Sequence, residues 1–163
     1  MACLNGSIRT EQMAMNTAAL ERTGMGLDFV QALVAGETAN VPMGDTLGFR
    51  VTEAGHGRAV VRGRPDARSY NLIGTVHGGW AATVLDTVLA LSVFSTLDDR
   101  HDFTTVDIKI NFLRPITAAT GEVRAEGRVV HGGRRIVLSE AQLTDPQGKL
   151  LAYGSGTCLI IPR

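Results

Sequence analysis

The stretch "WAATVLDTVLALSVFSTL", residues 80–97, is almost wholly apolar. Its hydrophobic residues cover nearly the whole helical circumference, which is typical of a helix that is buried on most of its faces. At about 1.5 Å per residue the stretch is long enough to cross a bilayer. It also carries several hydroxyl side chains and Asp86, and it lacks the basic or aromatic flanks of a membrane anchor. We therefore predict a buried helix at the centre of a soluble protein.

The segments on either side of this helix show the patterns of shorter elements. "GLDFVQALVAG" (26–36) predicts a short amphipathic helix that ends at Gly36. A period of two then begins at Leu47 and predicts a hairpin with its turn at "GHG" (55–57). Beyond the long helix the pattern predicts four more strands, arranged as a meander: "TTVDIKINFLRP" (104–115), "GEVRAEGRVV" (121–130), "RRIVLSEAQLTD" (134–145) and "KLLAYGSGTCLII" (149–161). The predicted fold class is α+β, an antiparallel sheet curled around one central helix.

Composition limits the classes of function. A chain of 163 residues is long enough for one domain, which we place at residues 23–163 after a loosely ordered extension, residues 1–22. The 16 basic residues balance the 16 acidic residues, so no overall field favours nucleic acid or an anionic membrane as a partner. Cys3 and Cys158 form neither a metal-binding pattern nor a disulfide framework, and no signal peptide is evident. We expect a cytoplasmic protein without a metal.

Asp86 is the one acidic residue in the apolar helix, and "HGG" (77–79) lies where the preceding loop becomes that helix. The first amides of a helix have no internal partner, and the helix dipole adds positive charge there. Glycines at 78 and 79 let a ligand approach this backbone closely. The pattern therefore predicts an oxyanion hole for a carbonyl oxygen, with Asp86 as the working carboxylate. The alternative is that neighbouring hydroxyls, such as those of Thr83 and Thr87, satisfy Asp86 within the helix.

The spacing of these groups points to a site shared between subunits. Gly79 and Asp86 lie roughly 10 Å apart along a helix, whereas a base and an oxyanion hole must both reach the same carbonyl within about 3 Å. Two helices packed antiparallel across a two-fold axis would satisfy both requirements. A second "HGG" (131–133) followed by Glu140 repeats the spacing, but it lies between alternating strands and predicts only a hairpin turn.

Two segments together, "NLIGTVHGGWAATVLDT" (71–87) and "TTVDIKINFLRP" (104–115), resemble a known family. The combination of Asn71, His-Gly-Gly six residues later and a helical aspartate is similar to that of hotdog-fold acyl-CoA thioesterases of the phenylacetate-pathway (PaaI-like) type. The resemblance covers about residues 45–161. It implies a hotdog fold and homodimers that pair into tetramers, with active sites at the dimer interface. Coenzyme A would belong to the substrate, and no separate cofactor is implied.

The resemblance also implies roles for individual residues. Asp86 would act as a general base on water or as a nucleophile, two mechanisms between which the family is divided. The Gly78 amide of the opposite subunit would polarise the thioester oxygen. Asn71 and His77 would support the loop and the thioester end of the substrate, and Thr105 aligns with a family serine that helps hold the attacking water.

Four further residues are candidates for substrate binding. Gly79 belongs to the same turn as Gly78, and Trp80 follows it either as helix packing or as part of an acyl pocket. Arg134 and Arg135 follow the second pair of glycines, where they either meet the phosphates of coenzyme A or remain solvated hairpin charges.

These observations favour an enzyme that hydrolyses acyl-CoA thioesters. A non-catalytic acyl-CoA-binding module on the same fold remains an alternative, although it would not need Asp86. A hotdog hydratase or dehydratase acting on enoyl thioesters is the other alternative. The sequence does not define the acyl group.

Overall fold

The computed structural model describes residues 26–163, so the predicted extension at residues 1–22 lies outside the described residues. Three α-helices lie within the described range: α1 (Gly26–Ala35), α2 (Pro42–Leu47) and α3 (Gly78–Phe94). Six strands accompany them: β1 (Phe49–Gly55), β2 (Arg58–Gly63), β3 (His101–Phe112), β4 (Val123–Gly132), β5 (Ile136–Thr144) and β6 (Leu150–Pro162).

The six strands form one antiparallel sheet in the order β1-β2-β4-β5-β6-β3, and α3 packs against its inner face. The helix buries Val84, Leu85, Val88 and Leu89 almost completely in that core. The predicted fold class, a curled sheet around one central helix, is confirmed. No helix among residues 26–163 is long and apolar enough to cross a membrane.

The predicted meander is wrong in one respect. β4, β5 and β6 are consecutive neighbours, but β3 lies beyond β6 at the edge of the sheet and β4 pairs with β2. The connection after β3 therefore crosses the molecule instead of turning back as a hairpin. Its path is fixed where the amides of Leu113 and Arg114 donate to the carbonyl of Leu151 and where the amide of Val76 donates to that of Ile116. Alternation identifies strands, but the partner of each strand depends on contacts that are distant in sequence.

The amino-terminal elements follow the prediction with one addition. α1 ends before Gly36, which adopts a φ of 72°. β1 and β2 form the expected hairpin, but Leu47 ends a short helix instead of beginning the strand. Pro42 stands at the start of that helix and Gly48, with a φ of 75°, ends it. Both residues suit those positions, because proline presets the helical φ and glycine tolerates a positive φ.

A glycine in β4 allows α3 to lie this close to the sheet. A Cβ on Gly127 would lie 2.5 Å from the carbonyl oxygen of Val88, which is helix backbone and unable to rotate away. We expect Gly127→Ala to lower the free energy of unfolding by about 1–3 kcal/mol, the usual cost of overpacking. Gly132→Ala at the end of the same strand is the matched control, since a Cβ there meets nothing within 4 Å. Urea denaturation checks this, and equal midpoints for both variants would contradict the close approach.

Candidate active site

The amino terminus of α3 leaves one backbone amide open. The Nδ1 atom of His77 accepts a hydrogen bond of 2.9 Å from the Gly79 amide, and the His77 carbonyl accepts one of 3.0 Å from the Trp80 amide. Within residues 26–163 the Gly78 amide donates to no acceptor. Because Nδ1 is an acceptor, a neutral His77 carries its proton on Nε2. The turn therefore presents the Gly78 N–H, together with the positive end of the helix dipole, to an incoming oxygen.

Gly78 and Gly79 have different neighbours, so a side chain at each position would meet a different obstacle. A Cβ on Gly79 would lie 3.1 Å from Nδ1 of His77, so a side chain there would crowd the capping ring. A Cβ on Gly78 would lie 3.3 Å from the end of the Phe112 ring. Phe112 ends β3 and is more than half exposed, so it forms an open wall beside the free amide. The absence of a side chain at Gly79 leaves room for the His77 cap, and its absence at Gly78 leaves the open amide accessible.

The loop before the helix is held by Asn71. Its Oδ1 accepts hydrogen bonds from the amides of Ile73 (3.1 Å) and Thr75 (3.2 Å), and its Nδ2 donates to the hydroxyl of Thr75 (2.9 Å). The Asn71 amide also donates to the carbonyl of Thr75 at 2.8 Å. Gly74 completes the turn with a φ of 81°, a value that favours glycine. All three of these side-chain bonds of Asn71 lie within the loop and hold its backbone in place.

Asp86 has unused hydrogen-bonding capacity. The one hydrogen bond to its carboxylate from within residues 26–163 comes from the Thr105 hydroxyl, at a long 3.3 Å. The hydroxyls of Thr83 and Thr87 donate to the helix carbonyls of Gly79 and Thr83, at 2.9 and 2.8 Å. These two threonines therefore do not satisfy Asp86, and the neighbouring hydroxyl that contacts it is that of Thr105. A half-buried carboxylate with free acceptor sites is suited to accept a proton or to attack a carbonyl.

Thr105 lies on β3 at the inner face of the sheet, opposite Cys158 of β6. Cys158 is buried, and this burial raises the pKa of its thiol, so the thiol remains protonated and unreactive. A β-bulge between Thr105 and Asp107 locally changes the alternation of the strand. Such bulges re-aim side chains next to functional sites, and this one lies directly beside the Asp86 contact.

Two cavities flank the braced loop. The first, which we call the Arg114 groove, has a volume of about 410 Å³ and is lined in part by Gly78, Phe112 and Arg114. The second, the Leu72 groove, has a volume of about 530 Å³ and is lined by Tyr70, Asn71, Leu72, Ile73 and His77. Both grooves therefore adjoin the turn that presents the open amide.

The remaining predicted residues lie elsewhere. Trp80 is buried, and its indole nitrogen donates to the carbonyl of Leu47 at 2.9 Å, so it packs against the amino-terminal elements. Arg134 lines a separate cavity with His56 and His101, near the carboxyl end of α3. The Arg135 carbonyl accepts a hydrogen bond from Ile160 in the neighbouring strand. Substrate binding by Trp80, Arg134 and Arg135 stays a prediction.

The second "HGG" forms part of a strand end and a hairpin, as expected, since β4 ends at Gly132 and β5 begins at Ile136. Glu140 has two polar partners on the sheet. It pairs with Arg128 and accepts a hydrogen bond of 2.7 Å from the Tyr153 hydroxyl, and this hydrogen bond lowers the pKa of the Glu140 carboxyl. Glu140 thus has partners on the sheet that Asp86 lacks.

Sequence reasoning missed several residues of the two grooves, among them Leu72, Ile73 and Arg114. Leu72 and Ile73 are among the most exposed large hydrophobic residues, at 106% and 84% relative exposure. Their signal was available, since "LI" stands between the turn residues Asn71 and Gly74. Arg114 had no such signal, because it reaches the loop only through the unpredicted crossing after β3.

The candidate site lies within a region of the chain that is similar to known proteins. A family model described as Thioesterase superfamily matches residues 73–152, a range that contains Gly78, Asp86 and Thr105. A Saccharolobus solfataricus protein named provisionally as an esterase is 31% identical over 115 residues, which cover 71% of this chain and 80% of that protein. Human acyl-coenzyme A thioesterase 13 is 28% identical over 109 residues, which cover 66% of this chain and 76% of that protein.

A solved structure extends the similarity to the fold. A single-residue variant of the phenylacetic acid degradation protein PaaI from Thermus thermophilus is 28% identical to this chain, with a TM-score of 0.67. The match covers 73% of this chain and 98% of the PaaI chain.

Proposed function

The chain belongs to the thioesterase superfamily, and we propose that it is an acyl-CoA thioesterase that releases a free acid and coenzyme A. The observation that carries this proposal is the open Gly78 amide on the same helix as an Asp86 carboxylate with free acceptor sites. The similarity to human acyl-coenzyme A thioesterase 13 supports coenzyme A as the thiol. We propose that the protein is located in the cytoplasm.

Each residue has a defined task in the proposed reaction. The Gly78 N–H donates to the thioester oxygen and stabilises the negative charge that develops as the carbonyl is attacked. Asp86 takes a proton from the attacking water and returns it to the departing sulfur, so that acid and free thiol leave. In the alternative route Asp86 attacks the carbonyl itself, the C–S bond breaks and coenzyme A leaves as the thiolate. Water then hydrolyses the acyl–aspartyl anhydride, which releases the acid, restores the Asp86 carboxylate and supplies the proton that the thiolate takes up. Thr105 holds Asp86 or the water, while Asn71 and His77 fix the loop and the helix start.

One subunit does not bring these groups together along its own helix. Gly78 and Asp86 are eight residues apart in α3, which is about 12 Å along the axis. Asp86 contacts Thr105 on β3, whereas Gly78 lies against Phe112 at the far end of that strand. A thioester carbonyl bound to the Gly78 amide of one subunit therefore needs the Asp86 carboxylate of another subunit for its hydrolysis.

β3 is suited to bring that subunit into place. It is an edge strand with one open side, and it exposes Val106, Ile108 and Phe112 at 40–56%. Long apolar edges of this kind are normally covered by another chain. We propose that two copies pair antiparallel through β3, with the two-fold axis between Ile108 and Lys109. Thr105 and Phe112 lie at equal distances on either side of that axis, so Asp86 of one copy approaches the partner subunit's Gly78.

The test is release of free thiol from a panel of acyl-CoA thioesters, with the absorbance of an enoyl-CoA followed in parallel. A thioesterase releases thiol in step with acid. Loss of the enoyl absorbance without thiol release would identify a hydratase instead. Tight acyl-CoA binding without any reaction would identify a binding module, and either result would overturn the proposal.

A further inference from the structure

The hydrogen bond that caps the start of α3 depends on the protonation state of His77. The Nδ1 atom of this ring accepts a hydrogen bond of 2.9 Å from the Gly79 amide, and an imidazole nitrogen accepts only while it carries no proton. In the positively charged ring both nitrogens are donors, so an Nδ1–H would face the Gly79 N–H. The cap that the structure shows is therefore a property of the neutral ring alone.

Within residues 26–163 no second acceptor is available to replace this cap. The first amides of an α-helix have no partner inside the helix. The His77 carbonyl already accepts from the Trp80 amide, and the His77 ring is the one acceptor that the described residues offer to the Gly79 amide. Loss of the cap therefore leaves two consecutive amides, those of Gly78 and Gly79, without a partner at the start of the helix.

The position of His77 lets the ring exchange protons with solvent. The residue is exposed, so water reaches its side chain in the folded protein. Histidine is the side chain whose charge ordinarily changes between about pH 5 and pH 8. The positive end of the α3 dipole lies at the same point and disfavours a second positive charge there. A charged ring thus loses its hydrogen bond to Gly79 and is repelled by the helix start.

The two segments beside the ring, residues 66–76 and 113–117, carry four charged or titratable side chains. Asp66 and Arg68 pair with each other at 2.7 Å, so their charges are matched. The Tyr70 hydroxyl and the Arg114 guanidinium are both bonded to backbone groups. In the proposed dimer the partner subunit's Asp86 also approaches this end of α3. Its carboxylate would attract a charged ring, which changes the pH at which the ring titrates but does not restore an acceptor at Nδ1.

We propose that His77 is a positioning residue that acts as a proton-operated latch on the oxyanion turn. The neutral ring holds the Gly79 amide and leaves the Gly78 N–H as the one donor presented to a substrate oxygen. The protonated ring releases Gly79, and the first turn of α3 then no longer holds the Gly78 N–H in a fixed direction. The latch rests on the hydrogen bonds of the turn, whereas its effect on turnover rests on the proposed function. Mild acid should therefore switch off hydrolysis while the core stays folded.

Amide NMR measures the latch without any substrate. Between about pH 8 and pH 5.5 the hydrogen-exchange protection of the Gly79 amide should fall about 5-fold or more, the fold-change that corresponds to an N-cap of about 1 kcal/mol. The fall should follow the titration of the His77 ring. In His77→Asn the protection should stay constant, because asparagine is a preferred N-cap whose side-chain oxygen accepts at every pH in this range.

His131→Asn is the matched control for this titration. It removes the histidine of the second "HGG", which stands exposed near the end of β4 and caps no helix. Its Gly79 amide should lose protection in acid as the wild type does. A Gly79 amide whose protection stays constant while the His77 ring titrates would overturn the latch.

Thiol release measures the consequence of the latch. The quantity to compare is the ratio of kcat/KM at pH 8 to kcat/KM at pH 5.5 within each variant, so that differences in basal activity cancel. We expect this ratio to be about 5-fold or more larger in the wild type and in His131→Asn than in His77→Asn, since Asp86 is present in all three. Circular dichroism at both pH values checks that the fold persists.

The two measurements separate the latch from the proposed function. If no variant releases thiol from an acyl-CoA, the proposed function fails, and the protection of the Gly79 amide still decides whether the latch exists. A ratio in His77→Asn equal to that of the wild type would overturn the control of turnover by His77. Activity that rises in acid would also overturn it, because a charged ring would then assist the oxyanion directly.

Discussion

Thiol release by the Asp86→Asn variant is expected to be at least about 100-fold slower than by the wild type, the usual contribution of a positioned acid–base group. The amide keeps the size of the carboxylate and its weak contact with Thr105, but it neither takes a proton from water nor attacks a thioester. The side chain is half-buried with a single long hydrogen bond, so the variant should unfold within about 0.5 kcal/mol of the wild type. The loss should fall on kcat, with little change in KM.

Asp99→Asn is the matched control, because it removes the same charge from an exposed position in the turn between α3 and β3, outside the proposed β3 pairing and outside both grooves. It should retain full turnover. An Asp86→Asn variant as active as the wild type would remove Asp86 from the reaction. After single-turnover hydrolysis in ¹⁸O-labelled water, label in the Asp86 carboxylate identifies the nucleophilic route, because water oxygen enters that carboxylate only by attack on the Asp86 carbonyl of an anhydride.

The sequence predicted the elements of this site better than their arrangement. The period of two and the all-round apolar run identified the strands and α3, because both patterns follow from local geometry. The meander failed because β3 pairs with β6 through contacts that are distant in sequence. Because the crossing that follows β3 brings Arg114 to the loop, the wrong strand order also left Arg114 unrecognised as a groove residue.

The predicted role of Asp86 depended on facts that only side-chain positions reveal. Thr83 and Thr87 lie within one helical turn of Asp86, and their hydroxyls could donate hydrogen bonds to its carboxylate as far as the sequence shows. The structure shows both hydroxyls bonded to helix carbonyls, as is common for threonines in helices. The amide of Gly78 is a similar case. The motif predicted a cluster of free amides, whereas the His77 ring occupies the Gly79 amide and leaves Gly78 open.

A second large effect is expected from Gly78→Pro, which removes the one open N–H while keeping the helix. Gly78 is the first residue of α3, a position that proline favours. His77 before it has φ −62° and ψ 136°, the extended conformation that a residue preceding proline adopts. We expect kcat to fall about 10²- to 10³-fold, the cost of losing one oxyanion donor.

Gly78→Ala is the control for the added bulk, since it keeps the N–H and brings a Cβ to 3.3 Å from the Phe112 ring. The Phe112 ring is largely exposed and has room to move by a few tenths of an ångström, so the alanine variant should lose far less activity than the proline variant. Circular dichroism and the unfolding midpoint are the checks that α3 persists in both variants. Equal losses for alanine and proline would assign the effect to crowding and not to the missing amide.

Mixing the two inactive variants tests whether the site is shared. In a dimer of one Gly78→Pro subunit and one Asp86→Asn subunit, a shared arrangement places both lesions in one site and leaves the other site intact. Random reassociation makes half of the dimers mixed, so about a quarter of the wild-type sites should regain activity. If each subunit instead supplied both groups to its own site, every site would keep one lesion and no activity would return. Recovery therefore requires that Asp86 acts on a carbonyl bound to the partner subunit's Gly78, as the eight-residue separation along α3 demands.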